Sequence, residues 1–498
     1  MSCGDSLSVS SNPYPAVLRC YYTEIVTKRF LLDCSLLLAL PLFSLFSQGQ
    51  SGQKQDQDLD RRFQAAVAEY DAGHFAEAAA ALEKLVLEVP QSFEVHELLG
   101  LVYSAMSREA DAALHLEKAV RLKPNSADAR INLATNLGRA GKFDLAEAQF
   151  KKAVELQPKN YDANHDLGEL YVQSGRVPAA LPYLEQAQHI NPAAYDNGYD
   201  LSLAYLVAGR LKEAREQVQE LLRQKDTAEL HNLLGQIEEK DGNFVAAANQ
   251  FELAAHADPS ESNLFDWASE LLLHRTLDPA VEVFRQASER YPKSPRLTIG
   301  LGMAYYARGN YDDAVKALLR GADLNPTDPS CYLFLSRAFD SSPSQADEVI
   351  ERFRRFTQVQ PNNARSFYYY ALSLWKGKRE KDPTLDLGQI ETLLKKSIAI
   401  DPNIPESHLQ LGNLFADQNK FNDAIPEYIR ARELGPDLSD VRYRLGQAYV
   451  RTNQRDLAQK EFDVYQKLRE QHLAEVDKQR ADVRQFVISE KKSPAAKP

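Results

Sequence analysis

The fold of this chain is decided by a nine-residue stretch, Leu167–Gly175, which reads LGELYVQSG. In it a leucine is followed at once by a small residue, and an aromatic residue comes three positions later. Close variants recur: LGLVYSAMS begins at Leu99, LGQIEEKDG at Leu234, LGMAYYARG at Leu301 and LGQAYVRTN at Leu445. A motif that returns at regular intervals predicts a tandem array of one structural unit.

The repeating unit is about 34 residues long, and about twelve copies fit between residues 59 and 469. Each unit can be numbered so that the small residue of the motif stands at position 8. Every residue there is then small: Ala66, Gly100, Ala134, Gly168, Ser202, Gly235, Ala268, Gly302, Ser336, Ala371, Gly412 and Gly446. Position 20 holds alanine except for Val349 and Ile390. Because helices approach closely where both carry small side chains, we predict two antiparallel helices per unit that cross at positions 8 and 20.

Turn residues and prolines mark the ends of the two predicted helices. The turn between them needs a residue that tolerates a positive φ, and the candidates are Gly73, Gly141, Gly175, Gly209, Gly242, Gly309, Asn419 and Asn453. Proline closes most units, as at Pro90, Pro192 and Pro436. It cannot continue a helix, and it biases the preceding residue toward extended backbone. Each unit is therefore predicted to be a helical hairpin that ends at a proline.

This pattern resembles the tetratricopeptide repeat, whose signature the fourth unit follows through Asn164, Leu167, Gly168, Tyr171, Ala180, Leu184 and Pro192. The resemblance implies an all-α fold in which antiparallel helix hairpins stack into a right-handed superhelical solenoid. It also implies that the first helices line a concave face that binds other proteins. A charged insertion after Trp375 departs from the pattern, and we predict that it is a surface loop.

The segment before the repeats, residues 1–49, reads as an export signal. The basic pair Lys28-Arg29 precedes the apolar run Phe30–Phe46, and small and polar residues follow. This order is typical of a cleaved secretory signal; an uncleaved membrane anchor and an apolar stretch without an export role are the alternatives. We expect a protein exported to a bacterial-type periplasm or secreted, or tethered by this segment, with a solvated linker over residues 50–58.

Two short segments follow the last unit. Residues 470–488 are predicted to form a helix that caps the exposed end of the array. Four apolar residues stand at helical spacing in it: Leu473, Val476, Val483 and Val487. The final residues, 489–498, read SEKKSPAAKP and are predicted to be a disordered tail.

Composition and charge exclude several classes of function. The chain has 498 residues and a formal net charge of −11 at pH 7, which argues against nucleic acid as a partner because phosphates need a cationic surface. Cys3, Cys20 and Cys34 lie in the N-terminal segment, so the repeats contain Cys331 alone and no disulfide framework is expected. Cys331 stands early in a first helix, where we expect it to be buried.

No catalytic or metal-binding pattern stands out in the repeats. The stretch HELLG at His96 lacks the second histidine that a zinc-protease helix carries, and His96 stands at a packing position of its unit. The stretch GRAGKFD at Gly138 has the wrong glycine spacing for a phosphate loop, and no Ser or Thr follows Lys142. We therefore predict no enzyme activity, no catalytic residue, no metal site and no cofactor.

The resemblance places the binding site at positions 2, 5, 9, 12 and 13 of each first helix. In the early units these positions are acidic and polar: Glu94, Glu97, Asp128, Asp162, His165 and Glu169. From the fifth unit they turn apolar, and the candidate partner-binding residues are Tyr199, Phe265, Leu272, Ile299, Met303, Tyr306, Tyr368, Leu372 and Trp375. Such residues either form an aromatic binding surface or thicken the core between units, and both interpretations remain open.

The sequence therefore predicts a non-catalytic scaffold whose groove binds a peptide or helical segment of another protein, in envelope assembly or an extracytoplasmic complex. Tyr306, Tyr368 and Trp375 are the predicted anchors. No unit carries the Lys and Asn pair with which some members of the family grip a terminal carboxylate, so this mode of binding is not expected. The alternatives are a cell-wall or polysaccharide-associated assembly factor and an accessory subunit of an enzyme complex.

Overall fold

The computed structural model describes residues 50–377 and 386–471, with side chains from residue 56 onward. Within these ranges the chain forms 24 helices and no strand. The helices are α1 (Gln50–Asp71), α2 (Phe75–Glu88), α3 (Phe93–Ala105), α4 (Glu109–Leu122), α5 (Ala127–Arg139), α6 (Phe143–Leu156), α7 (Tyr161–Gln173), α8 (Val177–Ile190), α9 (Tyr195–Ala208), α10 (Leu211–Gln224), α11 (Ala228–Lys240), α12 (Phe244–Ala257), α13 (Glu261–Leu273), α14 (Leu277–Arg290), α15 (Pro295–Arg308), α16 (Tyr311–Leu324), α17 (Pro329–Ser341), α18 (Ala346–Val359), α19 (Ala364–Gly377), α20 (Leu387–Ile400), α21 (Pro405–Asp417), α22 (Phe421–Leu434), α23 (Ser439–Arg451) and α24 (455–471).

The helices form two compact units, Met1–Gln250 and Phe251–Pro498, each considered by itself. From here on, "first unit" and "second unit" mean these two, and a single repeat is called a hairpin. In the first unit α1 packs on α2, α3 on α4, α5 on α6, α7 on α8 and α9 on α10; in the second unit α13 packs on α14, α15 on α16, α17 on α18, α19 on α20 and α21 on α22. The two members of each pair are the first and second helices of a hairpin. The predicted all-α solenoid of stacked helix hairpins is confirmed. The predicted linker over residues 50–58 is wrong, because these residues are helical and begin α1. Gln, which occurs four times in this polar stretch, favours a helix without needing a buried face.

Several sequence predictions fall on parts of the chain outside the described residues. These are the export signal in residues 1–49, the insertion loop over residues 378–385, and the cap and tail from residue 472 onward. Within the described ranges, no helix combines the length and the apolar character needed to cross a lipid bilayer.

A glycine at position 8 makes room for the large side chain at position 24 of the same hairpin. A Cβ added to Gly168 would lie 2.5 Å from Cδ2 of Leu184, and one added to Gly302 would lie 2.5 Å from Cγ of Leu318. Position 20 is buried as well, as Ala180 shows, but it is the residue at position 24 that lies closest to position 8. The predicted crossing at positions 8 and 20 is therefore refined, because the side chain at position 24 packs directly against the residue at position 8.

Position 4 of the first helix is polar in several hairpins. Its side chain forms a hydrogen bond with the carbonyl group of the proline that precedes the helix. His96 Nε2 lies 3.1 Å from the carbonyl oxygen of Pro90, and Asn164 Nδ2 donates to that of Pro158 at 3.1 Å. Arg130 reaches the carbonyl of Pro124 in the same way. Proline at the end of one hairpin thus exposes a carbonyl that the next hairpin satisfies. His96 is buried in this structural role, as its packing position predicted.

Where the structure describes the turn inside a hairpin, that turn has a residue with positive φ, as predicted. Gly175 has a φ of 73° and Asn419 a φ of 61°. Ser107 and Arg275 occupy the corresponding turns with φ values of 56° and 60°. A residue with a Cβ is strained in this left-handed region by roughly 1–2 kcal/mol, which a glycine avoids. These two turns are therefore less stable than those with glycine.

Arg275→Gly is expected to stabilise the second unit by roughly 0.5–1 kcal/mol, because relief of the left-handed strain exceeds the extra backbone entropy of glycine in the unfolded chain. The same change at Lys316, exposed inside α16, is the control and is expected to destabilise by about 1 kcal/mol. Urea unfolding followed by circular dichroism measures both. A loss of stability in Arg275→Gly would show that its backbone is not strained.

Candidate binding faces on the first helices

The first helices form the more closely packed side of each unit. In the first unit α3 contacts α5, α5 contacts α7 and α7 contacts α9; in the second unit α13, α15, α17 and α19 contact one another in the same sequence. Among the second helices of the described ranges, α16 and α18 are the pair that approaches as closely. This asymmetry is expected when hairpins stack with the first helices on the inner side of a curve.

Three of the nine predicted binding residues are buried in the core. Tyr199, Ile299 and Tyr368 are 9%, 5% and 9% exposed, and all three stand at position 5. A Cβ on Gly321 of α16 would lie 2.7 Å from Cγ1 of Ile299 and 3.3 Å from Sγ of Cys331. Ile299 therefore fills the space between its own hairpin and the next. Position 5 supports the packing interpretation, and Tyr368 is not available as an anchor.

The other predicted residues of the second unit remain half-buried. Met303 and Leu372 stand at position 9, and Leu272, Tyr306 and Trp375 stand at position 12. Their inner parts pack against the core, and their outer parts face away from it. Phe265, at position 5, is also half-buried, and the guanidinium of Arg296 lies 5.0 Å from the centre of its ring. Positions 9 and 12 thus carry the exposed apolar surface of the first helices.

This surface is divided by α17, which follows α15 and precedes α19 among the first helices and is polar at positions 9 and 12. Arg337 and Asp340 of α17 are exposed at positions 9 and 12, and Lys376 of α19 pairs with Asp340. The Arg337 guanidinium lies 5.7 Å from the ring centre of Phe334, whose ring also meets Tyr306 edge-on at 6.1 Å. Two apolar areas result. The Tyr306 patch consists of Leu272, Met303 and Tyr306, and the Trp375 patch consists of Leu372 and Trp375.

The first unit has a different inner face, which is acidic as predicted. The sequence missed how many carboxylates gather around Tyr161. Burial, followed by the negative charges of Asp196, Asp162, Asp166 and Asp200, raises the pKa of the Tyr161 hydroxyl. Asp166 and Asp200 stand at position 6, outside the positions that the resemblance assigns to the groove, so the repeat pattern could not reveal them.

Glu97 is a buried carboxyl group on this acidic face. Its side chain is 5% exposed, and it accepts a hydrogen bond from Nδ2 of Asn132 at 3.3 Å. Burial raises the pKa of Glu97 to about 7, an effect that the hydrogen bond opposes and the neighbouring Asp128 reinforces. The charged form is the one disfavoured in the folded chain. Glu97 therefore stabilises the fold below its unfolded pKa of about 4.5, and this contribution is lost as the pH rises through about 7.

Glu97→Gln is expected to be more stable than the native chain by about 2–3 kcal/mol at a pH of about 8, because the amide keeps the hydrogen bond without a buried charge. At a pH of about 4 the two chains are expected to unfold alike, since Glu97 is then protonated in both states. Urea unfolding at both pH values measures the difference. Glu229→Gln, at an exposed site on α11, is the control and is expected to change stability little at either pH.

The single cysteine of the described residues is inert, as its predicted burial implies. Cys331 is fully buried, and its Sγ lies 3.2 Å from the carbonyl oxygen of Leu318. Burial raises the pKa of its thiol to about 12, so the reactive thiolate is scarce at neutral pH.

Comparison with known families agrees with the hairpin geometry. Sequence profiles described as tetratricopeptide repeats match residues 63–127, 131–195, 172–237, 271–338 and 412–453, which together are more than half of the chain. The chain belongs to the tetratricopeptide repeat family. The matched ranges lie on hairpins of both units.

Two curated relatives are similar in sequence to part of this tetratricopeptide repeat protein. The TPR repeat-containing protein YpiA of Bacillus subtilis is 22% identical over 187 residues, which are 37% of this chain and 42% of the relative. The protein O-mannosyl-transferase TMTC3 of Mus musculus is 20% identical over 211 residues, which are 40% of this chain and 21% of the relative. The chain thus spans less than half the length of these relatives.

Two solved structures are similar to this chain at low identity. A tetratricopeptide repeat protein from Parabacteroides merdae is 16% identical with a TM-score of 0.39, over 50% of this chain and 99% of that one. YrrB, described as a TPR protein with an unusual peptide-binding site, is 21% identical with a TM-score of 0.32, over 36% of this chain and 95% of that one.

Proposed function

We propose that this tetratricopeptide repeat protein is a non-catalytic scaffold that binds a peptide or helical segment of another protein on the inner face of its second unit. The observation that carries the proposal is the half-buried state of Tyr306 and Trp375 at position 12, while position 5 on the same helices is buried. Large rings held in place by the core lose little entropy on binding and offer much apolar area.

The two patches define what kind of segment fits. Neighbouring helices pack about 8–10 Å apart, so α15 and α19, which are two hairpins apart, lie about 20 Å from each other. An extended chain rises about 3.3 Å per residue. The partner segment therefore carries two apolar anchors about six residues apart, with polar residues between them that meet Arg337 and Asp340.

Export of the scaffold is part of the proposal. The basic pair and the apolar run before residue 50 support delivery to a bacterial-type envelope or to the medium, where the partner would be encountered. Detection of the chain in a periplasmic or culture-medium fraction tests this point separately from binding. Retention in the cytoplasm would contradict export and leave the binding proposal to its own experiment.

Photo-crosslinking tests the binding proposal. A photoreactive amino acid is placed at Met303 on the inner face, at Leu372, or at Lys316, which is exposed on the second helix of the same hairpin as Met303. The same partner protein is expected to be captured from Met303 and Leu372 but not from Lys316, and a synthetic segment of that partner is expected to compete. Capture from Lys316 alone, or competition by polysaccharides instead of the peptide, would contradict the proposal.

A further inference from the structure

One group of side chains in the first unit matches the requirements of a metal site. A ring nitrogen of His165 and carboxylate oxygens of Asp166 and Glu169 all lie within 4.8 Å of one another. The three residues are half-buried on α7. The spacing between His165 and Glu169 places both on one face of the helix, one turn apart, and Asp166 and Glu169 are also neighbours on the helix surface.

The hydrogen bonds around His165 fix which ring nitrogen can bind a metal. Nδ2 of Asn197 donates to the carbonyl of Leu184 at 3.0 Å and to Oε1 of Gln188 at 2.8 Å. The side-chain oxygen of Asn197 must therefore be the atom that faces Nδ1 of His165, at 3.2 Å. Because that oxygen can only accept, Nδ1 donates to it, and Nε2 is the ring nitrogen left for a metal.

This is the support that metal-binding histidines have in other proteins, where the second ring nitrogen donates to a fixed acceptor. Asn197 is fully buried on α9, so the acceptor is rigid. The ring of Tyr161 stacks on the ring of His165, with centroids 5.5 Å apart and planes tilted by 14°. The imidazole is thus oriented before any ion arrives.

The charges around the group also favour a cation. The carboxylates of Asp162, Asp196 and Asp200 join that of Asp166 around Tyr161, which stacks on His165. A dication would reduce the mutual repulsion of these carboxylates. One oxygen of Glu169 already accepts a hydrogen bond from Nε2 of Gln173 at 3.1 Å, which helps to hold the carboxylate in place.

We infer that His165, Asp166 and Glu169 bind one transition-metal dication, for which Zn²⁺ is the best fit. Imidazole with carboxylates suits zinc, whereas Ca²⁺ and Mg²⁺ prefer shells made of oxygen alone. Three protein ligands leave a coordination position for water on the inner face. The inference does not rest on the proposed function, and either can fail without the other.

Calorimetric titration with zinc chloride tests the site on the full-length chain without a histidine tag. Cys3→Ser, Cys20→Ser and Cys34→Ser are introduced throughout to remove thiols that would also bind zinc. One zinc ion per chain is expected to bind with a single affinity that both Glu169→Gln and His165→Asn weaken by at least about tenfold. His189→Asn, at an exposed histidine on α8, is the control and is expected to bind as the parent does.

Circular dichroism before and after each titration separates loss of the site from loss of the fold. Glu169→Gln keeps the shape of the side chain and is expected to remain folded, so it decides the matter if His165→Asn unfolds. Calcium and magnesium are expected to bind much more weakly than zinc. Zinc affinity unchanged in Glu169→Gln, no zinc binding by the parent, or equal binding of calcium would each overturn the inference.

Discussion

Gly168→Leu is expected to destabilise the first unit by about 3 kcal/mol, the largest loss of stability among the substitutions considered. Already the first added carbon would lie 2.5 Å from Cδ2 and 2.6 Å from Cγ of Leu184. Leu184 is fully buried and cannot move aside without displacing α8. Separation of α7 from α8 would expose the apolar residues that pack this hairpin against its neighbours. Urea unfolding monitored by circular dichroism measures the loss.

Gly168→Ala is the matched control for steric crowding. It adds the first carbon alone and is expected to lose less than Gly168→Leu, about 1–2 kcal/mol, because the higher helix propensity of alanine offsets part of the crowding against Leu184. Gly175→Ala, in the turn of the same hairpin, changes a residue with positive φ and tests backbone strain instead. Equal stability of Gly168→Leu and the native chain would contradict the close approach of positions 8 and 24.

Replacing both Tyr306 and Trp375 by alanine is expected to weaken binding of the partner segment by about 100-fold or more. Loss of a large aromatic anchor typically reduces the binding free energy by about 2 kcal/mol or more, and each patch contributes one such ring. Fluorescence anisotropy of a labelled partner peptide measures the affinity. Each single variant is expected to lose part of the effect, because the two patches contact different residues of the segment.

Two control variants locate the effect on the inner face. Val359→Ala removes an exposed apolar side chain from the second helix α18 and is expected to leave the affinity unchanged. Tyr368→Phe removes only a hydroxyl from a buried ring and is also expected to bind as the native chain does. Unchanged affinity in the Tyr306→Ala, Trp375→Ala double variant would exclude the two patches as the binding surface.

The repeat pattern alone predicted most of the fold. Local steric rules explain the small residues at position 8, the glycine or asparagine in the turns and the proline at the ends. Such rules can be recognised from the sequence alone. Arg275 shows the limit of this approach, because its turn adopts the same positive φ without a residue type that announces it. The helical start at Gln50 was missed because residues 50–58 lack the apolar periodicity on which the prediction depended.

The candidate site was predicted less well, for a physical reason. Apolar residues at positions 5, 9 and 12 look equivalent on a single helix, but the depth of each depends on the neighbouring hairpin. Ile299 is buried because Gly321 and Cys331 come close to it, whereas Tyr306 stays half-exposed on the same helix. The orientation of His165 likewise depends on Asn197, which lies on the next hairpin.

Hydrogen–deuterium exchange of the full-length chain, with and without the partner segment, tests the central claim most directly. Slower exchange is expected in the first helices α13, α15, α17 and α19, where the Tyr306 and Trp375 patches lie, and little change is expected in the second helices. Protection confined to α14, α16 and α18, with the first helices unaffected, would contradict the claim that this chain binds its partner on the inner face.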